Sequence, residues 1–121
     1  MGRRSRRRER SAEPLPEAPV ETYEGADGER LSLRTVMTPK TRELYARTLA
    51  GNPLSREDAW QRAVEFLFER LAVGWEISGV QTEGQAELLA RLRAATPQER
   101  SFVRDSLRTH CAEWFPELQA P

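Results

Sequence analysis

The feature that most constrains this chain is the contrast between its first 36 residues, which carry few large apolar groups, and the rest, which carries repeated helix start and stop signals. Residues 1–10 hold six arginines and one glutamate, a net charge of +5. Residues 11–30 hold six acidic residues and one arginine, a net charge of −5. A segment this polar cannot bury enough apolar surface to offset the entropy lost on ordering. The core must therefore come from the last ~85 residues, which suits one small domain.

The N-terminal segment, residues 1–36, is predicted to be a disordered arm with a basic block and an acidic block. Pro14, Pro16 and Pro19 interrupt any helix there. Asp27-Gly28 lies between short apolar-alternating stretches, which is a weak hairpin signal. A short extended segment at 31–37, lying on the body or on a partner, is an equal alternative.

Helix-start signals place a helical domain in residues 38–118. Thr38-Pro39 and Thr96-Pro97 each combine an N-cap threonine with proline at the first helical position, and Ser55 begins a sequence resembling a capping box. Loops between the predicted helices are short, which favours an orthogonal or bundle-like packing. The sequence therefore predicts an all-α, four-helix domain, with helices at about 39–50, 56–77, 83–95 and 97–114.

The second predicted helix has apolar residues on two sides. One wide stripe contains Trp60, Leu67 and Leu71 and is the expected core face. A second stripe lies about 120° away by helical geometry. Such a helix is either wedged between other helices or forms half of an oligomer interface. The helix either ends at Gly74 or continues through it. We take as the candidate partner interface the residues Phe66, Val73, Trp75 and Ile77.

Arginines recur at every fourth position on the fourth predicted helix, at Arg100, Arg104 and Arg108. They can flank the core with their stems buried, pair with Glu65 and Glu69, or grip an anionic partner through bidentate contacts. The arm supplies further candidate contacts for anionic partners, namely Arg3, Arg4, Arg6, Arg7, Arg8 and Arg10. Clustered arginines bind phosphate backbones without needing a fold, although no aromatic residues lie among them for base stacking.

Chemistry-bearing residues are few. His110 and Cys111 are the only histidine and cysteine, and neighbouring helical residues point about 100° apart, so they cannot act as a nucleophile and base. One cysteine and one histidine cannot form a four-ligand zinc site within the chain. The sequence predicts no enzymatic activity, no metal site and no cofactor. It also contains no apolar run long enough to span a membrane, and its single cysteine is compatible with the cytoplasm.

The function predicted from these features is non-enzymatic. We expect a protein-protein interaction or assembly module whose helical body docks a protein partner or a second copy of itself, with the arginine-rich arm adding electrostatic contacts. The alternative is a nucleic-acid-binding or regulatory protein that uses the arm, or a helix-turn-helix formed by the third and fourth helices with Gln98 and Arg100 near the bases.

Overall fold

The structure, a computed structural model, describes residues 19–50 and 56–118 and shows a mixed α/β fold. The all-α prediction is wrong, because a four-stranded antiparallel sheet accompanies the four helices of the described residues. The helical-bundle assignment is wrong for the same reason. In chain order the elements are β1 (Val20–Glu24), β2 (Arg30–Arg34), α1 (Pro39–Ala50), α2 (Arg56–Leu71), β3 (Ala72–Ile77), β4 (Val80–Thr82), α3 (Gln85–Arg93) and α4 (Pro97–Trp114).

Strands β1 and β2 form a hairpin in the region predicted to be a disordered arm. Their register pairs Val20 with Arg34 and Glu24 with Arg30. The turn is closed by a hydrogen bond from the Gly25 amide to the Glu29 carbonyl at 2.8 Å, with Gly28 at a φ of 81°. The expectation of disorder is therefore wrong from residue 19 onward, whereas residues 1–18 lie outside the described residues.

Strand β3 begins where α2 ends, with no loop between Leu71 and Ala72. The predicted continuation of the second helix to residue 77 is wrong, because this segment pairs with β2 and places Trp75 opposite Leu31. A register shift lies between Ser32 and Leu33. The sheet order is β1-β2-β3-β4, so β1 and β4 are its two edges.

The helices cover one face of the sheet. Leu31, Leu33 and Trp75 point toward them and are each 0% exposed, whereas Thr22 and Arg34 on the other face are exposed. This alternation is the two-residue period of a sheet that is buried on one side. The core thus lies between one sheet layer and one helical layer, where sequence reasoning expected helix-on-helix packing alone.

Helix α4 is the longest element and runs along the sheet from its hairpin end. Its N-terminus carries the predicted capping box, which the structure confirms: Thr96 Oγ1 accepts from the Glu99 amide at 3.1 Å, and Glu99 Oε1 accepts from the Thr96 amide at 3.0 Å. Phe102 lies against Gly25 in the hairpin turn. Farther along, His110 contacts Tyr23 of β1. These contacts fix α4 antiparallel to β1.

Candidate functional site

A groove of about 160 Å³ opens where the N-terminal half of α2 faces the corner between α3 and α4. Three helices contribute to it, and no strand does. Its lining residues are Glu57, Trp60, Gln61, Val64, Glu65, Leu92, Arg93, Arg100 and Arg104.

Helical spacing explains how these side chains converge. On α2 the lining positions lie three, four, seven and eight residues after Glu57, which is one face of an α-helix. The α3–α4 corner is tight, because α3 ends at Arg93 and the Thr96 capping box starts α4. Arg100 and Arg104 lie one helical turn apart on α4, so both can reach the face of α2.

The three groove arginines are bonded to different degrees. Arg93 pairs with Glu65 at 3.2 Å. Arg100 donates to the Arg93 carbonyl at 2.8 Å and has no carboxylate partner among the described residues. Arg104 lies 3.9 Å from Glu57, at the limit of an ion pair.

Two features of that last pair leave the terminal nitrogens of Arg104 available in the groove. The Arg104 side chain is 35% exposed and is bonded to Glu57 only through Nη1 at this limiting distance, while its Nε is buried without an acceptor in the described part of the chain. The Glu57 side chain is 76% exposed, so it is free to move aside when another carboxylate approaches. With three arginines and two glutamates, the lining carries a net charge of +1.

The apolar part of the groove consists of Trp60, Val64 and Leu92. Trp60 and Val64 are half-buried, whereas Leu92 is 4% exposed and belongs to the core. An apolar floor beside incompletely bonded guanidinium groups favours a ligand that carries a carboxylate next to an apolar group. Guanidinium groups bind carboxylates with paired, charge-assisted hydrogen bonds, which are stronger than neutral ones.

The structure separates the arginines that the sequence grouped together. Arg100 and Arg104 line the groove, whereas Arg108, one turn farther on, donates to Asp105 at 3.4 Å on the exposed surface. Arg93 was missed, because its role depends on how α3 packs against α2, and no pattern within α3 reports that. The arm arginines, from Arg3 to Arg10, lie outside the described residues.

The residues predicted as a partner interface do not share one surface. Trp75 is fully buried in β3 under the Arg91 guanidinium, which lies 5.5 Å from its ring centroid. Phe66 is half-buried on α2, with its ring 5.8 Å from that of Tyr45. Val73 and Ile77 are half-buried residues of β3. They were grouped on the assumption of one continuous helix, and that assumption does not hold.

His110 is a buried connection between α4 and the hairpin. Its Nε2 lies 2.7 Å from the Arg34 carbonyl, which can only accept, so Nε2 carries the proton. In the neutral ring Nδ1 then accepts from the Tyr23 hydroxyl at 2.8 Å. Burial lowers the pKa of His110, although the hydrogen bond to Arg34 opposes this. Both ring nitrogens are satisfied, as in a structural histidine.

The neighbouring Cys111 is buried, and burial raises the pKa of its thiol to about 12. A thiol that remains protonated at neutral pH is a poor nucleophile.

A second polar cluster lies near the hairpin turn. Arg91 donates to Glu99 at 2.9 Å, and this bond lowers the pKa of Glu99. Glu29 is 7% exposed, its Oε2 has no partner among the described residues, and burial raises its pKa. The bond between Arg91 and Glu99 joins α3 to α4 at the corner that borders the groove.

Neither other site types nor similar proteins add an assignment. Within residues 19–50 and 56–118, no group of three or more His, Cys, Asp or Glu side chains is arranged to hold a metal ion. None of the helices described is both long and apolar enough to cross a bilayer. No protein-family model matches the chain, and neither the curated proteins nor the solved structures include a match to it.

Proposed function

We propose that this protein is a non-enzymatic interaction module that binds an acidic linear segment of a partner protein in the groove between α2, α3 and α4. The observation that carries the proposal is the weakly paired Arg104 guanidinium, whose Nη1 lies 3.9 Å from an exposed Glu57 in a groove whose floor is apolar. A partner carboxylate bonds the exposed terminal nitrogens of Arg104 in place of Glu57, and a neighbouring apolar side chain covers Trp60 and Val64.

The strength of these contacts suits a reversible complex. A hydrogen bond to a charged group contributes about 1.5–3 kcal/mol. Burying one aliphatic side chain contributes a further ~1.5–3 kcal/mol. The free-energy cost of ordering the peptide on binding must be subtracted from this total. We therefore expect short peptides to bind weakly and longer segments to gain from additional contacts.

The arm fits the same partner chemistry. Residues 1–10 carry a net charge of +5 and raise the local attraction for an acidic segment without requiring a fixed structure. The buried Cys111 thiol suits a reducing compartment, so a cytoplasmic location forms part of the proposal.

Selection from a random 12-residue peptide library displayed on phage, using the full chain as target, tests the proposal. We expect enriched peptides to place Asp or Glu beside Leu, Ile, Val or Phe. Arg104→Gln should weaken their binding about 10- to 100-fold, the equivalent of one charged hydrogen bond. The matched control is Arg108→Gln, one turn away and outside the groove. Enrichment of basic or purely apolar peptides, or equal binding to Arg104→Gln, would contradict the proposal.

The nucleic-acid alternative needs a different variant. Because β1 and β2 belong to the fold, arm removal has to stop at residue 18. If the full chain retains an oligonucleotide at 150 mM salt and the shortened chain does not, the arm is a nucleic-acid element. If the Arg104→Gln variant retains it equally, the groove is not involved.

A further inference from the structure

Among residues 19–50 and 56–118 no strand pairs with the outer edge of β1, where every second residue directs its backbone amide and carbonyl away from the sheet. The Thr35 amide bonds the Pro19 carbonyl at 3.0 Å, and the Gly25 amide bonds the Glu29 carbonyl at 2.8 Å. Hydrogen-bonded pairs alternate along an antiparallel ladder, so the odd-numbered residues of β1 face β2. The amides and carbonyls of the even-numbered residues, Val20, Thr22 and Glu24, therefore point away from the sheet.

We propose that two copies of this chain pair antiparallel through these edges, about a twofold axis at Thr22. In this register Thr22 faces its counterpart and Val20 faces Glu24 of the second copy. All three pairs join residues whose backbone groups point outward, so they form six hydrogen bonds. The product is one continuous eight-stranded antiparallel sheet with an isologous interface.

Side chains on both faces of the joined strands are compatible with this register. On the outer face the Thr22 and Ser32 hydroxyls are 2.9 Å apart, and the second copy extends them into a row of four hydroxyl groups. Glu24, which pairs with Arg30 of its own chain at 3.6 Å, faces an apolar valine. On the inner face Glu21 lies opposite Tyr23. No like charges are directly opposed, which is the arrangement that destabilises strand pairs.

The edge also carries an exposed apolar side chain and lacks two of the residue types that commonly block edge pairing. Val20, at the start of β1, is 44% exposed and is one of the four exposed large apolar residues in the described part of the chain. The strand contains neither proline nor lysine, residues that commonly block edge pairing, and its two charged residues, Glu21 and Glu24, face Tyr23 and Val20 of the second copy and meet no like charge. A second copy covers this surface.

This interface is separate from the groove, because no residue of β1 lines the groove. Loss of peptide binding in Arg104→Gln therefore leaves self-association unchanged, and loss of the dimer leaves the groove intact. The two proposals can fail independently.

Cysteine cross-linking of the full chain tests the register. In a hydrogen-bonded antiparallel pair the opposed Cα atoms are about 5.5 Å apart, which a disulfide can span. Thr22→Cys should therefore form a covalent dimer under mild oxidation. The matched control is Ser32→Cys in the same row. Its counterpart is three strands away, at about 14 Å, which a disulfide cannot span. Equal cross-linking of both variants, or none in Thr22→Cys, overturns the register.

A charge exchange at the same position tests the pairing without oxidation. Thr22→Lys and Thr22→Asp each oppose a like charge across the twofold axis and should weaken self-association about tenfold or more. An equimolar mixture should form the mixed dimer in native mass spectrometry. Thr22 is exposed and its amide is not used by β2, so both variants should keep the wild-type fold, shown by an unchanged far-UV circular dichroism spectrum. A wild-type chain that stays monomeric in light scattering up to 0.5 mM, or variants that dimerise like the wild type, overturns the proposal.

Discussion

Replacing His110 with leucine should remove both buried hydrogen bonds that join α4 to the hairpin. The side chain is 0% exposed, so the Arg34 carbonyl loses a partner that water cannot easily replace. A buried polar group left unsatisfied costs about 1–3 kcal/mol. The Tyr23 hydroxyl is on a half-buried residue and recovers part of its loss from water. The expected decrease in the free energy of unfolding at pH 7.5 is therefore about 2–3 kcal/mol.

The effect should also depend on pH, with a definite sign. Burial is the main cause that lowers the pKa of folded His110, while the Arg34 carbonyl, Glu21 and Glu113 act in the opposite direction. As the pH falls through ~6.5, the unfolded chain binds the proton first, so the folded wild type loses stability. The leucine variant lacks this contribution. Its stability deficit should therefore shrink between pH 7.5 and pH 5.5.

Urea unfolding of the wild type, His110→Leu and Tyr23→Phe at both pH values measures the loss in the free energy of unfolding and its dependence on pH. Tyr23→Phe is the matched control, since it removes one hydrogen bond and keeps the imidazole, and it should cost about 1 kcal/mol. If His110→Leu lowers the free energy of unfolding by less than about 0.5 kcal/mol at pH 7.5, the two hydrogen bonds contribute little net stability, because water replaces them in the variant. A deficit that stays constant between the two pH values would refute the pKa argument.

Two other positions give simple tests. Thr96→Ala removes the hydrogen bond from the Glu99 amide to the Thr96 hydroxyl and should lower the free energy of unfolding by about 1 kcal/mol in urea titrations. Thr96→Ser keeps the hydroxyl and should be nearly neutral. An effect as large for Thr96→Ser as for Thr96→Ala would point to lost packing instead. The Cys111 thiol, buried with a pKa of about 12, should react with Ellman's reagent at pH 8 only as fast as the chain unfolds. Immediate reaction in the native protein would contradict the burial.

The helix starts were predictable because their signals are local. The hydroxyl of Thr96 and the carboxylate of Glu99 bond amides within the same turn, so residue type and spacing are sufficient. Proline at the first helical position, as in Pro97, acts equally locally. Such signals do not depend on the rest of the fold.

The sheet was not predictable from the same kind of reasoning. Residues 72–77 continue the apolar pattern of α2 without a turn residue before Gly74, so they resemble the end of that helix. Pairing with β2 decides their conformation, and this pairing joins residues far apart in the chain, such as Leu31 and Trp75. Strand preference depends on neighbouring strands more than on the residues themselves. The hairpin signal at Asp27-Gly28 was present but was outweighed by the acidic composition.

The candidate site was half predictable. The spacing of Arg100 and Arg104 identified them as potential contacts for anions, since both lie on one side of a helix. Trp60 was assigned to the core, although it is half-buried and lines the groove. Which lining residues meet depends on how α2 packs against the α3–α4 corner, and that packing follows from the sheet beneath it.

The order of the strands has a consequence for how the protein is made. On the ribosome the hairpin is synthesised before β3, the strand that covers the inner edge of β2. This strand follows some forty residues later, several seconds at typical elongation rates. During that interval Leu31 and Leu33 lack the neighbours that bury them in the finished protein. The nascent chain therefore passes through a stage in which both edges of the hairpin are unpaired and its two leucines are uncovered, and this stage is when a chaperone or a neighbouring nascent copy has the most to bind.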